Sequence, residues 1–416
     1  MTKANLSLNG TDYEFNVIVG SEGEVGVDFS TLRKTANAIA YDPAFGNTGS
    51  CSSEITFING EKGILRYRGY AIEDLAENAT FEEVMYLLVK GELPTADELK
   101  SFKGQLAEHA QIPDALIKQY QALPDGLHPM AALSSIMVSL SGYYPTTGND
   151  DEDIVRLLAK MKAFVALGYR ESKGEAFVQS KNGANYIADF VEMMFGKTTP
   201  ALEQAFDQLL ILHADHEQNC SASTVRMVGS SQANLYASIA AGVNALWGPL
   251  HGGANQKVIE MLEMIQNDDG DASKYLDKAK DKSDAFRLMG FGHRVYKNFD
   301  PRAKIIKVAA DEVLDDLGID DDETLDIAKA LEKAALEDPY FKDRKLYPNV
   351  DFYSGIIYRA LGIPTGMFTV MFALGRLPGW IAQWKEWREE PKSRIHRPRQ
   401  IYTGATERKV PPITER

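Results

Sequence analysis

Two patterns of apolar positions divide the chain. Over roughly the first seventy residues, apolar side chains alternate with polar ones. Leu6 and Leu8 alternate with polar neighbours, Asn9-Gly10 supplies a turn, and Tyr13, Phe15 and Val17 resume the alternation. That period of two predicts a half-buried hairpin. A second hairpin is predicted at ITFINGEKGILRYRG, where Asn59-Gly60 opens the loop and Gly63 closes it. Helical spacing dominates afterwards. Thr80 with Glu83 reads as a capping box, Val84, Leu87 and Leu88 follow at helical spacing, and Gly91 fits the stop. Thr95 and Glu98 repeat the cap. Residues 232–247 are small or apolar on most sides, which predicts a buried helix. A helix is also predicted over 351–360, after Pro348 and ended by Gly362-Ile363-Pro364. The acidic run LDDLGIDDDETLD, 314–326, reads as a solvated turn between two helices.

Composition adds bounds. A chain of 416 residues with 44% hydrophobic side chains has material for two domains. No repeat or low-complexity linker marks a boundary, so Gly252-Gly253 and Pro364-Thr365-Gly366 are the hinge candidates. A formal net charge of -14 argues against nucleic acid or an anionic membrane as partner. A local cluster of arginines can still receive an anionic substrate. Two cysteines, Cys51 and Cys220, suggest a reducing compartment and not a disulfide framework. The N-terminus has no apolar signal core and no run reaches membrane-span length, so the expected location is cytoplasmic.

Several chemical signals fail. Gly290-Phe291-Gly292 begins like a dinucleotide loop, but Val295 stands where the third glycine belongs and no clear strand precedes it. His213 and His216 are three apart and would share a helix face, with Cys220 one turn further on. A zinc-binding helical module is the resulting alternative, although no fourth ligand is nearby. No nucleophile elbow and no phosphate-binding P-loop appears.

Other signals hold. Four of the seven histidines fall in ILHADHEQN, WGPLHGGAN and LMGFGHRVYKNFDPR. Glycines flank His251 and precede His293, which lets backbone approach a ligand and present an imidazole. Asp351 lies between Val350 and Phe352. Desolvation there would raise its pKa and make it a stronger base, while a helix start would stabilise the anion. The bland alternative makes Asp351 simply an N-cap. Arg302, Arg376 and Arg397 are fixed forked donors of the kind a dicarboxylate requires.

Taken in order, ITFINGEKGILRYRGY, ILHADHEQN, WGPLHGGAN, LMGFGHRVYKNFDPRA, KLYPNVDFYSGI and RPRQIYTG resemble the citrate synthase family, in its bacterial branch with a β-rich N-terminal extension. The resemblance spans nearly the whole chain. It implies a mainly α, two-domain helical fold with a small β-rich N-terminal region. Residues 1–70 would form that region, 71–252 with 363–416 the large domain, and 253–362 the small one, with the active site between the two domains. It implies condensation of acetyl-CoA with oxaloacetate, then thioester hydrolysis to citrate and CoA, at the entry to the tricarboxylic acid cycle. No metal or redox cofactor is implied, the CoA thioester being a substrate.

By the same resemblance Asp351 is the base for the acetyl methyl group and His251 the donor to the thioester oxygen. His293 polarises the ketone of oxaloacetate. His216, Arg302, Arg376 and Arg397 bind oxaloacetate, Arg397 reaching a partner subunit's site. Leu288, Met289, Gly290, Phe291 and Gly292 line the adenine pocket of CoA, and Lys297 is a phosphate candidate. The family implies a homo-oligomer, either a dimer or a hexameric ring of dimers. A 2-methylcitrate synthase using propionyl-CoA would use the same residues. Many members of this branch are inhibited by NADH. Here MMFGKTTPALEQAFD has no cysteine, and Glu108 precedes His109 where a basic residue is expected. Weak or absent NADH inhibition follows, because a carboxylate repels a pyrophosphate.

Overall fold

The computed structural model describes residues 2–145, 148–181, 185–293, 295–297, 299–319 and 322–416. Helix accounts for 57% of the protein and strand for 8%, so the mainly α expectation holds. The chain forms two compact units, Glu54–Ile395 and the combination of Met1–Ser53 with His396–Arg416.

In the unit Met1–Ser53 with His396–Arg416, β1 (Lys3–Leu8), β2 (Thr11–Val19) and β3 (Val25–Asp28) form an antiparallel sheet in that order. Leu8 pairs with Thr11 across Asn9-Gly10, and both turn residues have positive φ, 54° and 79°. This is the two-residue turn expected from Asn-Gly. Phe15 is buried against Phe29, ring edge to ring face at 5.1 Å. A short helix, Leu32–Ala36, follows.

The unit Glu54–Ile395 opens with the second hairpin, β4 (Thr56–Asn59) and β5 (Ile64–Tyr67), joined by β6 (Tyr70–Ala71). Helices make up the rest. Both capping boxes form: the Thr80 and Thr95 hydroxyls accept from the amides of Glu83 and Glu98, whose carboxylates bond back. Gly91 ends the Phe81–Lys90 helix at φ 98°. The helix read over 232–247 spans Leu235–Trp247, because Asn234 takes the cap. The acidic run 314–326 overlaps the end of the helix Pro301–Leu317 and the start of Glu323–Glu337, so only its middle lies between them. Its Asp320 and Asp321 are outside the described residues.

Two long helices organise the core. Asp150–Lys173 is buried on nearly every face from Asp153 to Tyr169, and Phe368–Glu389 from Phe368 to Trp384. The latter packs on the helices Pro200–His213, Cys220–Gly229 and Leu235–Trp247. Two glycines permit that approach. A Cβ on Gly375 would stand 3.0 Å from the His213 Cβ, and one on Gly379 would stand 2.1 Å from the Ala214 carbonyl oxygen. Arg376 lies between them and is carried onto the end of the Pro200–His213 helix. A second helical group comprises Ala254–Asp268, Pro301–Leu317, Glu323–Glu337 and Val350–Ala360, packed on one another.

Burial also places a carboxyl under stress. Asp207 accepts the Phe81 amide at 2.8 Å. Burial, with the nearby charge of Glu82, pushes its pKa up to about 7. The folded state therefore holds a proton that the unfolded state has released, so stability falls as pH rises from about 4 to about 7. Asp207→Asn keeps the acceptor and removes the charge. It is expected to melt a few degrees higher than the parent at pH 8, with the difference shrinking toward pH 5 in differential scanning calorimetry.

Candidate active site

Arg302 and Arg376 stand at the centre of the site. Arg302 is at the second position of the Pro301–Leu317 helix, capped by Asp300. Asp300 holds it with a forked pair, Nε to Oδ1 and Nη2 to Oδ2, both 2.9 Å. Burial opposes both charges, but the pair wins: Asp300 stays below its usual range and Arg302 above its own. Arg376 is buried and donates from Nε to the His213 carbonyl oxygen at 2.6 Å. Burial and the charge of Arg302 bring its pKa down to about 10, with Asp215 and Tyr67 partly offsetting them.

His251 follows the Leu235–Trp247 helix in a tight turn. Its Nε2 lies 3.1 Å from the Ser221 amide nitrogen and 2.8 Å from the Ser221 Oγ. An amide can only donate, so Nε2 carries the lone pair and the proton sits on Nδ1. Ser221 is held in turn by Trp380 Nε1–H at 3.0 Å and by Asn219 Oδ1 at 2.8 Å. His293 has the opposite tautomer. The amides of Val295 and Tyr296 both point at its Nδ1, at 3.1 and 3.2 Å, leaving the proton on Nε2. Burial, then the positive charge of Arg376 for His251 and of Arg302 for His293, lowers both pKa values to about 4. Each is a neutral donor at ordinary pH.

Asp351 is not the N-cap. Asn349 takes that place, its Oδ1 accepting the Asp351 amide at 3.0 Å. The carboxyl of Asp351 is thereby left free of a capping duty. Burial pushes its pKa up to about 6, against the pull of Arg302 and Arg376. Asn349 also braces the loop 288–292. Its amide donates to the Gly290 carbonyl oxygen at 2.9 Å and its Nδ2 to the Gly292 carbonyl oxygen at 2.8 Å. Gly290 needs φ 78°, and its face packs so closely on Val258 and Phe352 that a Cβ would clash. Backbone packing thus accounts for that glycine. Gly252 is similar, since its Cβ would meet the Leu246 carbonyl oxygen at 2.2 Å. Around the loop, Met289 is exposed, Leu288, Phe291 and Gly292 are half-buried, and Lys297 is exposed.

The structure also corrects the shared helix face of His213 and His216. The helix ends at His213, and His216 lies in the turn beyond it. His213 Nδ1 donates to the Leu209 carbonyl oxygen at 2.6 Å, whereas His216 Nε2 faces the Tyr296 hydroxyl at 3.2 Å. Cys220 is exposed at the start of the next helix. Among the described residues no three histidine, cysteine or acidic side chains gather as metal ligands.

The His293 loop rests on the β4–β5 turn. The Lys297 amide donates to the Gly60 carbonyl oxygen at 2.9 Å, and a Cβ on Gly60 would lie 2.2 Å from the Val295 carbonyl oxygen. His216, His251, His293, Arg302, Arg376 and Asp351 all belong to the Glu54–Ile395 unit, whereas Arg397 lies exposed in the other. Sequence reasoning passed over Asn219, Ser221, Tyr296, Asp300 and Asn349. Three of these, Asn219, Asp300 and Asn349, are helix caps legible as Asx before a helix start.

Comparison with known proteins finds similarity over nearly the whole chain. The profile "Citrate synthase, C-terminal domain" matches residues 44–399. A citrate synthase of Corynebacterium glutamicum is 52% identical, over 100% of this chain and 97% of that protein. Citrate synthase 1 of Mycobacterium tuberculosis is 50% identical, over 97% and 96%. Among solved structures, citrate synthase from Pyrobaculum aerophilum superposes with a TM-score of 0.81 at 35% identity, covering 97% of this chain and 98% of that one. The enzyme from Thermoplasma acidophilum, in ternary complex with carboxymethyl coenzyme A and oxaloacetate, gives 0.80 at 33%, covering 89% and 98%.

The wiring of the two histidines has a direct readout. In protein labelled at the histidine ring carbons, His251 and His293 are expected to titrate by NMR with midpoints near 4. Midpoints near 6.5 would contradict the burial that keeps them neutral.

Proposed function

The chain therefore belongs to the citrate synthase family, and we propose how its residues carry out that acyl transfer. The Asp351 carboxylate takes a proton from the methyl group of acetyl-CoA. His251 Nδ1–H donates to the thioester oxygen as negative charge develops there, so the enolate forms against a fixed dipole. His293 Nε2–H polarises the ketone of oxaloacetate, and the methyl carbon attacks it. Arg302 and Arg376, with His216, hold the carboxylates. Water then hydrolyses the citryl thioester to citrate and CoA. The observation that carries the reading is Asp351: a carboxyl whose pKa burial raises to about 6, in the first turn of a helix and relieved of the cap by Asn349.

The loop 288–292 receives the adenine of CoA. Asn349 and Tyr347 already engage the carbonyls of Gly290 and Gly292 and the Gly292 amide, so side chains there are left to meet the base. Lys297, exposed in the segment after the loop, meets a phosphate of CoA in this reading. Residues 253–362 act as a small domain closing on the rest, since oxaloacetate would be gripped by His216 and Arg376 on one side and His293 and Arg302 on the other. Acetyl-CoA is the preferred thioester in this reading; relative turnover with propionyl-CoA in a thiol-release assay separates it from a 2-methylcitrate synthase.

A base with a pKa of about 6 must be deprotonated to act, so kcat/KM is expected to fall as pH drops through about 6. Asp351→Asn is expected to lower kcat on the order of a thousandfold with circular dichroism unchanged. Near-normal turnover would remove Asp351 from the mechanism.

The protein works as a homo-oligomer in the cytoplasm, and Arg397 completes the site of a partner subunit. Exposed Val138, Tyr143, Met227 and Trp247 give the Pro129–Tyr143, Cys220–Gly229 and Leu235–Trp247 helices apolar surface for such an assembly. Mixing Arg397→Ala with Asp351→Asn protein should restore part of the activity through hybrid dimers. No restoration, with hybrids shown to form, would refute the assignment.

NADH inhibits weakly or not at all. Beside LAEHAQIPD, Lys160 Nζ is spent on the carbonyl oxygens of His109 and Gln111, at 2.9 and 2.6 Å. Arg156 is paired with Glu152 and Asp153. Cations already engaged in this way have little left for a pyrophosphate. Strong sigmoidal inhibition at low NADH and subsaturating acetyl-CoA would reverse this.

A further inference from the structure

We propose that Tyr296 is a positioning residue of the oxaloacetate site, its phenol fixing the ring of His216 and its backbone amide fixing the ring of His293. The inference rests on the functional reading above and deepens it. Tyr296 is 2% exposed. Its hydroxyl is 3.2 Å from His216 Nε2 and its amide 3.2 Å from His293 Nδ1. The phenol ring lies 4.8 Å from the His293 ring and 5.6 Å from that of His216, centre to centre, and the two imidazoles are 5.5 Å apart. The Arg302 guanidinium sits 5.8 Å over the same phenol ring. One residue therefore touches both histidines and one of the arginines assigned to oxaloacetate.

The amide contact is available to any residue other than proline, so it explains nothing about tyrosine. The phenol does. His216 comes from the turn after the Pro200–His213 helix, about eighty residues away in sequence. A buried imidazole with an unmade hydrogen bond carries a desolvation penalty and turns to find a partner. The Tyr296 hydroxyl is that partner. Burial keeps the phenol protonated, although Arg302 pulls the other way, and burial keeps His216 neutral. Two neutral groups, each a donor and an acceptor, can share a hydrogen bond in either sense. If Nε2–H donates to the phenol, the hydroxyl hydrogen is free. If the phenol donates, the imidazole proton is on Nδ1. Either way the ring of His216 is held before substrate arrives.

The test is steady-state kinetics and melting of Tyr296→Phe, His216→Asn and the double variant, beside the parent. Tyr296→Phe keeps the ring that packs on His293 and removes only the hydroxyl. It is expected to raise KM for oxaloacetate about tenfold, to leave KM for acetyl-CoA within about twofold, and to melt close to the parent. In the His216→Asn background the same substitution should raise KM for oxaloacetate by less than about threefold, because the phenol acts through the ring that is gone. An unchanged KM in the single variant, full additivity in the double, or a rise of both KM values together with a much lower melting temperature would each overturn the proposal. If the parent itself releases no thiol from acetyl-CoA and oxaloacetate, the functional reading fails and takes this inference with it. Activity in the parent with any of the three adverse results sinks the inference alone.

Discussion

The site depends on the burial of two guanidinium groups, those of Arg302 and Arg376. Arg302 and Arg376 are each at most 3% exposed, and the charge of Arg302 is felt at Arg376. Unpaired, such a pair would cost several kcal/mol of desolvation per ion. Arg302 escapes most of that cost through its fork to Asp300, the cap residue two positions earlier. Arg376 does not. A backbone carbonyl holds its Nε and Asp215 acts at longer range, so its pKa is drawn down to about 10. Arg376 therefore leaves residual positive character beside Arg302. The same field depresses the pKa of His216, His251 and His293 and pulls Asp351 back from a still higher value.

Neutral histidines are useful only if their protons point the right way, and backbone amides decide that. An amide hydrogen cannot be turned into an acceptor, so the Ser221 amide forces the His251 proton onto Nδ1, and the amides of residues 295 and 296 force that of His293 onto Nε2. The two imidazoles thus hold opposite tautomers through secondary structure itself: one through a helix N-terminus, the other through the turn of its own loop. This is sturdier than a side-chain partner, because no substitution at Ser221 other than proline deletes its amide.

Much of this was legible in the sequence. Both hairpins, both capping boxes and the buried Leu235–Trp247 helix follow from Asn-Gly pairs, Thr-x-x-Glu spacing and an all-round apolar face. The histidines and arginines stood out because they sat among glycines and prolines. What stayed hidden acts through space at long sequence separation. Ser221 reads as an ordinary helix residue until His251, thirty positions on, is folded against it. Tyr296 reads as core. The Asx residues at 219, 300 and 349 were legible as caps, but each has a second task that only folding reveals: Asn219 holds Ser221, Asp300 holds Arg302, and Asn349 holds the 290–292 loop. Asp351 illustrates the reverse error. A carboxylate near a helix start is ordinarily a cap, and only the presence of Asn349 two residues earlier separates the bland reading from the chemical one.

Glycines set how closely the segments of the site meet. Those beside His251 and His293 read, in the sequence, as places where backbone meets a ligand. In the folded protein Gly60, Gly252, Gly290, Gly375 and Gly379 are places where backbone meets protein, each so close that a Cβ would lie within about 3 Å of a neighbouring atom. Gly375 and Gly379 seat Arg376 on the Pro200–His213 helix. Gly60 seats the His293 loop on the β4–β5 turn. Gly290 seats the loop 288–292 on the Val350–Ala360 helix that bears Asp351. The functional side chains come from segments far apart in the chain, and their relative positions are only as exact as the backbone contacts between those segments. A side chain at the contact would act as a compressible spacer with several rotamers. Backbone against backbone has no such freedom, so glycine at these seams converts packing into the positional accuracy that proton transfer and carbon–carbon bond formation require.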